Sequence, residues 1–556
     1  MVTIWGRTWH HLIAAGLLST CIVATAQTSQ DSPEKPSGYT PKKAVTARHS
    51  MVVAAHPLAV AAGVKMLDKG GSAVDAAIAV QLVLNLVEPQ SSGIGGGAFM
   101  LHLDGRTQAL DAYDGRETAP AGVTPDLFLK ADGKPMGFYE AVIGGRSVGV
   151  PGVLRMLEMA HARHGKLPWT TLFQPAIDLA RSGFAMSGRT RSNLDNNRAL
   201  LANPATRAYF YLPDGSPKPA GSILKNPAFA AVLQRIALAG PDAFYTGPIA
   251  ADIAAAVQNY PGNPGALSVA DLAAYRARRV EPLCGPYRLY RLCGMPPPSS
   301  GGISVLQIMQ MLERFDLAAI SPQSAEAVHL FAEAGKLAYA DRDFYVADDR
   351  FADVPLAGLA APDYNHARSL LIDPNQAASR AQRGSPAYSP IVMGEDATVE
   401  IAGTSHFSIV DRAGNAVSMT TTVESFFGSH VFVHGFFLNN QLTDFSPFPT
   451  NQGRPVANAI FPGKRPRSSM APTLVFDAHD KLYMVIGSPG GPAIINYVAK
   501  TLVATLDWGL DMQAAVSLPN FGSRNGPTEV EKGTSLEALL QPLRALGHDA
   551  RAVDFN

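Results

Sequence analysis

The feature that most narrows what this chain can fold into is the run Gly403-Thr404-Ser405-His406-Phe407-Ser408-Ile409-Val410-Asp411. A hydroxyl residue, preceded by glycine, opens a segment whose alternation reads as a strand. A polar, loop-like stretch comes before it. A chain that cuts itself needs this arrangement. The Thr404 hydroxyl would attack the Gly403 carbonyl, and the α-amine released by the cut would then act as base toward the same hydroxyl. With a reference pKa of about 7.7–8.0, part of that amine is neutral near pH 7. The dipeptide alone is not decisive, because Gly-Thr pairs are common and most are turns.

Composition sets the outer bounds. Of 556 residues, 47% are hydrophobic, which suits a globular protein with a large core. Lys+Arg and Asp+Glu both number 46, so no broad basic field is available for nucleic acid. Basic residues do cluster at Lys464-Arg465-Pro466-Arg467, which alone reads as a solvated loop. The N-terminus reads as a secretory signal over residues 1–26. Arg7 supplies the positive charge, Leu12 to Val23 the apolar stretch, and Ala24-Thr25-Ala26 the cleavage site. A lipoprotein reading would use Cys21, but Thr20 stands where a smaller residue is usual. No second apolar run is long enough to span a bilayer. The mature protein is therefore expected to be exported, periplasmic or secreted, and soluble. Removing the signal leaves Cys284 and Cys293, either a disulfide or two buried thiols. No Cys/His cluster has zinc spacing, and neither metal nor cofactor is expected.

Residues 27–45 are rich in Ser, Pro, Lys and Thr and read as disordered. Helical periodicity marks 58–69, 73–86, 153–164, 171–181 and 325–341. Residues 99–103 and 280–292 read as strand and hairpin. Residues 372–399 lack periodicity and read as an exposed loop that would deliver the scissile bond. Beyond Thr404 the texture is β-rich at 406–411, 416–423 and 482–486, with a helix predicted at 493–506. Two other motifs compete. Gly93-Ile94-Gly95-Gly96-Gly97-Ala98 fits a loose dinucleotide pattern, but here a helix precedes it and a strand follows, the reverse of what that fingerprint requires. Gly145-Arg146-Ser147-Val148-Gly149 fits a nucleophile elbow, yet Val150-Pro151-Gly152 intervenes before the next helix. Ser147 is thus a distant alternative nucleophile of an α/β hydrolase.

Further segments accompany the Thr404 run. Downstream stand Asn439-Asn440-Gln441-Leu442-Thr443-Asp444-Phe445, Arg467-Ser468-Ser469-Met470-Ala471-Pro472 and Gly487-Ser488-Pro489-Gly490-Gly491. Upstream stand Gly70-Gly71-Ser72-Ala73-Val74-Asp75, Gly115-Arg116-Glu117-Thr118-Ala119-Pro120, Pro296-Pro297-Pro298-Ser299-Ser300-Gly301-Gly302 and Ala340-Asp341-Arg342-Asp343. In order and spacing these resemble the γ-glutamyltranspeptidases over roughly residues 48–550. The resemblance implies an α+β fold, the N-terminal nucleophile αββα sandwich, formed jointly by a large subunit (27–403) and a small subunit (404–556). The cut would then not be a domain boundary. It implies transfer of a γ-glutamyl group, from glutathione or a related amide, through a Thr404 ester to water or to an amino acid or dipeptide. It assigns Thr422 to tune the nucleophile, with Thr420 or Thr421 taking that role if the strand register slips. Gly490 and Gly491 match the oxyanion hole. Arg116, Ser468 and Ser469 match the α-carboxylate site, and Gln441 and Asp444 the α-ammonium site. The basic cluster becomes an edge of the substrate pocket. Without its motif, Arg116 reads as a surface ion pair with Glu117, and the two glycines as a turn.

The chain departs from the pattern in three places. Glu424 stands where many relatives carry asparagine, and either meets the ammonium or points away. The stretch from Asp444 to Ala457 is short and lacks the usual lid tyrosine, so a more open pocket is expected. Asn556 arrives early, which suggests a truncated C-terminus. The competing reading is a cephalosporin (glutaryl) acylase of the same architecture, whose acyl group lacks the α-amine. Gln441 and Asp444 favour γ-glutamyl; Glu424 and the short lid keep the acylase in play. A non-enzymatic binding protein is disfavoured by the intact nucleophile and glycines.

Overall fold

The helix Ala73–Val87 is apolar on nearly every side and wholly buried, which marks the centre of a large core rather than its surface. Its start is fixed by a capping box. Ser72 Oγ accepts from the Asp75 N–H at 3.2 Å, and the Asp75 carboxylate accepts from the Ser72 N–H at 2.8 Å. Asp411, the last residue of the run that opens at Gly403, accepts from the Ala73 N–H at 3.0 Å. The strand that begins at Thr404 is thereby tied to the central helix. The computed structural model describes residues 42–389, 393–400 and 403–554. The expected signal sequence, with Cys21, lies outside the described residues.

Ten strands build two sheets: β1 (Met51–Ala54), β2 (Gly97–Leu103), β3 (Leu110–Asp114), β4 (Arg278–Val280), β5 (Leu283–Tyr287), β6 (Tyr290–Gly294), β7 (Thr404–Val410), β8 (Ala416–Thr422), β9 (Thr473–Phe476) and β10 (Leu482–Ile486). The first sheet has the order β1-β7-β8-β2-β3-β4 and the second β10-β9-β6-β5. Strand alternation decides what each face meets. Phe407 and Ile409 of β7 pack with the helices Ala73–Val87, Val153–His164 and Trp169–Ser182. Phe99, Leu101 and Leu103 of β2 pack with Leu474, Val475 and Ile486 of the second sheet and with the helices Gly301–Leu312, Ala325–Tyr345 and Ile494–Leu506. The result is an α+β sandwich of the αββα kind. β7 lies inside the first sheet, between β1 and β8, so the Gly403–Thr404 bond is no domain boundary.

The other face of β7 and β8 carries a column of polar side chains between the sheets. His406 Nδ1 meets Thr420 Oγ1 at 2.9 Å and its Nε2 meets Ser408 Oγ at 3.0 Å, while Ser418 Oγ donates to the Ile486 carbonyl at 2.9 Å. Thr404 and Thr422 end this column. Burial pushes His406 down to about 3 and His430 down to about 4. A histidine held neutral in the fold but free to protonate when unfolded costs stability as pH falls below its unfolded value of about 6.5. At pH 5 that cost is about 2 kcal/mol per group. Thermal melts should therefore fall between pH 6.5 and 5, and His430→Gln should flatten the fall. Parallel melting curves for the two proteins would sink this assignment.

Helices and strands occur where the periodicity put them, apart from shifts at their ends. Cys284 and Cys293 sit opposite each other on β5 and β6 and are joined as a disulfide. The stretch 372–399 lacks regular helices and strands among the described residues and is largely exposed, with Glu395, Ala397 and Val399 open at its end. Two acidic side chains there turn inward toward arginines, Asp396 at 2% exposure and the adjoining Glu400 at 11%.

Candidate active site

The register of β7 against β8 sets Thr422 directly opposite Thr404. Thr420 is spoken for by His406, and Thr421 donates to the Gly97 carbonyl at 3.4 Å. Thr404 Oγ1 donates to Thr422 Oγ1 at 3.4 Å, and the Glu424 N–H donates to the same oxygen at 2.8 Å. Thr422 Oγ1 in turn donates to the Gly403 carbonyl. One hydroxyl thus touches both the nucleophile and the carbonyl next to it. Gly403 is held tightly there: a Cβ would lie 2.0 Å from the Glu424 carbonyl oxygen. The glycine run upstream has the same origin. A Cβ on Gly96 would meet the Thr422 carbonyl oxygen at 2.0 Å, and one on Gly97 would meet Glu117 Oε2 at 2.2 Å. Those glycines let strands and side chains approach, and protein atoms fill the space that a phosphate cradle would need. Ser147 is buried in a short 3-10 turn and donates to the Val142 carbonyl at 2.6 Å, which is not the setting of an exposed elbow nucleophile.

A pocket of about 290 Å³, open mouth included, is lined by Thr404, Thr422, Arg116, Glu424, Gln441, Asp444, Ser468, Ser469 and Gly491. Nine residues singled out from sequence, from six separate stretches, therefore share one cavity. Gly490 adjoins it; with Gly491 it turns the chain at φ 127° and 53° into the helix Ile494–Leu506. Lining and turning hold together here. The Pro296–Gly302 motif braces the serines: Ser300 Oγ donates to the Ser468 carbonyl at 2.7 Å and Ser299 Oγ to the Met470 carbonyl at 2.6 Å.

Arg116 is not a surface residue. It is 1% exposed and pairs with Asp444 Oδ2 at 2.5 Å, with Glu117 further off at 3.8 Å. Its Nε donates to the Pro466 carbonyl at 3.2 Å, and Nη2 donates also to the Arg467 carbonyl at 2.7 Å. The basic cluster is accordingly turned inward rather than solvated: Lys464, Arg465 and Arg467 are all buried. Gln441 Nε2 donates to Asp444 Oδ2 at 2.7 Å, which fixes the amide's orientation and leaves Gln441 Oε1 buried with no hydrogen-bond partner among the described residues. Glu424 Oε2 accepts from Ser425 Oγ at 2.5 Å and from Asn440 Nδ2. Burial pushes the Asp444 carboxyl up, against the pull of Arg116. Burial also pushes Glu117 up to about 8, again against Arg116, and neither of its oxygens has a hydrogen-bond partner among the described residues.

Sequence reasoning missed Glu117, Arg342 and Glu400 as parts of this site. Arg342 donates to Ser469 Oγ at 2.6 Å, and Ser469 Oγ donates to Glu400 at 2.8 Å. A usable signal existed in the lone acid of Val399-Glu400-Ile401-Ala402-Gly403, whose apolar surroundings argue against a solvated charge. Two further clusters that spacing could not reveal lie elsewhere: His102, Asp111 and His164, and His329, Glu333 and His548, each with candidate ligand atoms within 4.8 Å of one another. Protein partners already engage them. His329 Nδ1 meets His548 Nε2 at 2.7 Å, Lys336 donates to Glu333 at 2.7 Å, and Arg279 donates to Asp111 at 2.7 Å.

Comparison with known proteins gives the family of the chain. The chain is 38% identical to the glutathione hydrolase proenzyme of Bacillus subtilis (strain 168), covering 98% of this chain and 92% of that one. It is 37% identical to the acylase ACY 1 proenzyme of Pseudomonas sp. (strain SE83), covering 91% and 88%. Among solved structures, the cephalosporin acylase from Bacillus halodurans superposes with a TM-score of 0.80 at 28% identity, covering 93% of this chain and 92% of that one. Residues 59–556 match the sequence model of the family described as Gamma-glutamyltranspeptidase. With that match over nearly its whole length and the fold to go with it, the chain belongs to the γ-glutamyltranspeptidase family of N-terminal nucleophile enzymes.

Proposed function

We propose that this chain is a proenzyme that cuts itself between Gly403 and Thr404 and then acts as a γ-glutamyl hydrolase and transferase. Glutathione or a related γ-glutamyl amide is the donor. Water, an amino acid or a dipeptide is the acceptor. The observation that carries the reading is Gln441 Oε1, a buried acceptor with no donor among the described residues, beside the Asp444 carboxylate and in the same pocket as Thr404. An α-ammonium would satisfy it, and Arg116 with Ser468 and Ser469 would take the α-carboxylate. Glu424, in the same lining, adds a second acidic group on the ammonium side.

In the cut, Thr404 Oγ1 attacks the Gly403 carbonyl carbon. The hydrogen bond from Thr422 to that carbonyl oxygen supports its polarisation as charge develops. The bond to the Thr404 nitrogen breaks, the hydroxyl proton ends on that nitrogen, and an ester joins Gly403 to Oγ1. Water then hydrolyses the ester and leaves Thr404 with a free α-amine. In turnover that amine takes the hydroxyl proton while Oγ1 attacks the donor's γ-carbonyl. N–H groups at Gly490 and Gly491 face the oxyanion. The proton passes to the leaving amine, and water or an acceptor amine releases the γ-glutamyl group from Oγ1. The sequence at residues 1–26 and the Cys284–Cys293 disulfide both support work outside the cytoplasm. No described helix is long and apolar enough to cross a membrane.

The likeness to acylases makes glutaryl transfer the reading to test against. A glutaryl donor differs only by the missing α-amine and would leave Asp444 and Gln441 without their partner. Steady-state rates should favour a γ-glutamyl anilide over a glutaryl anilide by at least about tenfold in kcat/KM, or about 1.4 kcal/mol. Asp444→Asn should narrow that gap by weakening the γ-glutamyl donor. Equal or faster turnover of the glutaryl compound would replace this function with an acylase.

A further inference from the structure

The anion-binding side of the pocket is already filled by the chain itself. Glu400 lies just upstream of the scissile bond. Its carboxylate accepts from Ser469 Oγ at 2.8 Å, from Arg342 Nη2, and from Arg467 Nη2 at 3.1 Å. Arg342 is locked in place, with Nε donating to Ser300 Oγ at 2.8 Å and Nη1 paired to Asp343 at 2.6 Å. Arg467 Nη2 also meets Asp396 at 2.9 Å. Both guanidiniums are 2–3% exposed. Burial pushes the Glu400 carboxyl up, but Arg342 and Arg467 outweigh it and hold the group at about 2. It is therefore ionised at neutral pH.

The two buried cations share Asp343 and draw their other carboxylates, Glu400 and Asp396, from the stretch before the cut. Once the Gly403–Thr404 bond is broken, that stretch ends in a free terminus beside the pocket. Whenever it withdraws, Arg342 and Arg467 are left with one shared carboxylate, Asp343, and Ser469 loses its acceptor; two buried cations on a single anion are costly. Ser469 is the serine expected to hold the donor's carboxylate, so the vacated place is contiguous with the donor site.

We propose that Glu400 is a placeholder for the substrate's carboxylate: it holds an anion subsite made by Arg342, Arg467 and Ser469 until cleavage, and then exchanges with the carboxylate of the donor. The identity of the incoming anion rests on the γ-glutamyl reading; the subsite itself does not. Two consequences follow. Arg342 and Arg467 join Arg116 in setting the preference for a carboxylate-bearing donor. The cut tail, still close by, competes with substrate at the high effective concentration of a tethered ligand.

The test uses the processed enzyme and two synthetic pentapeptides, the sequence of residues 399–403 (Val-Glu-Ile-Ala-Gly) and its glutamine counterpart (Val-Gln-Ile-Ala-Gly). By calorimetry the glutamate peptide should bind at least about tenfold more tightly than the glutamine peptide, since only it brings a charge-assisted partner for both guanidiniums. It should also inhibit turnover of a γ-glutamyl anilide competitively. Equal affinity of the two peptides overturns the proposal. In the full chain, Glu400→Gln should lower KM for the anilide at least about threefold, with kcat within about twofold, because the tail no longer competes. An unchanged KM in a normally processed variant also overturns it. Should that variant fail to mature, the peptide comparison on wild-type enzyme decides. If no γ-glutamyl anilide is turned over at all, the γ-glutamyl reading falls, while the calorimetric comparison still judges the subsite.

Discussion

A Thr404→Ala chain is expected to stay in one piece and to show no turnover. The wild-type chain should release a fragment of about 16–17 kDa, the rough mass of the chain from Thr404 onward on a mean residue mass. N-terminal sequencing of that fragment should read Thr-Ser-His-Phe. The reason is local. Thr404 Oγ1 is the hydroxyl that begins β7, and the Gly403 carbonyl beside it already accepts from Thr422. Removing the nucleophile leaves the polarised carbonyl with nothing to attack it. Thr404→Ser keeps the oxygen and should still be cut. Thr422→Ala should slow the cut by about 10²–10³, the usual loss when a donor to a developing oxyanion is removed. Gly403→Ala should also slow it, because the new Cβ would sit 2.0 Å from the Glu424 carbonyl oxygen and the scissile peptide would have to shift. A Thr404→Ala preparation that still splits at this bond would remove Thr404 from the role.

What the sequence made legible follows from how far each signal reaches. Period-two alternation from Thr404 and the all-apolar stretch from Ala73 are local patterns, and both elements form where those patterns predict them. Register is not local. Thr420, Thr421 and Thr422 are equivalent in the sequence, and only the pairing of β8 with both β7 and β2 selects Thr422. Charged residues on buried elements were harder still. The helix Ala325–Tyr345 buries Glu333, Lys336, Asp341 and Arg342 because each finds a partner, some of them far along the chain. Polarity alone would have put those residues on a wet face. The basic cluster misled in the same way. Arg465 meets Asp114 at 3.3 Å and Arg467 meets Asp396 at 2.9 Å, so their charge is met inside rather than by water. Long-range pairing of this sort leaves no trace in local composition. The apolar neighbours of Glu400 hint that it is not a solvated charge, but its partners, Arg342 and Arg467, are not legible in the sequence around it.

Arg116→Ala should lower kcat/KM for a γ-glutamyl anilide by at least about thirtyfold, the effect of about 2 kcal/mol, at the low end of what removing one partner of a buried charge pair costs. Arg116→Lys keeps the charge but loses the planar fork, so it should also be impaired, by roughly tenfold. Loss of the guanidinium has a second effect that must be separated from the first. Asp444 and Glu117 would be left as buried carboxyls without their cation, and the fold itself would weaken. Damage of that kind lowers every activity alike. The discriminating measurement is therefore a ratio. A 4-aminobutyryl anilide keeps the donor's amine and reacting carbonyl but lacks its α-carboxylate. Wild-type enzyme should prefer the γ-glutamyl compound strongly, because only that compound pairs with Arg116. In Arg116→Ala the preference should collapse, since the group that reads the carboxylate is gone and the two donors become alike to what remains. The non-additivity of removing both partners is the signature of a direct contact. Should the variant lose activity on both compounds equally and keep the wild-type preference, Arg116 supports the fold and does not touch the donor.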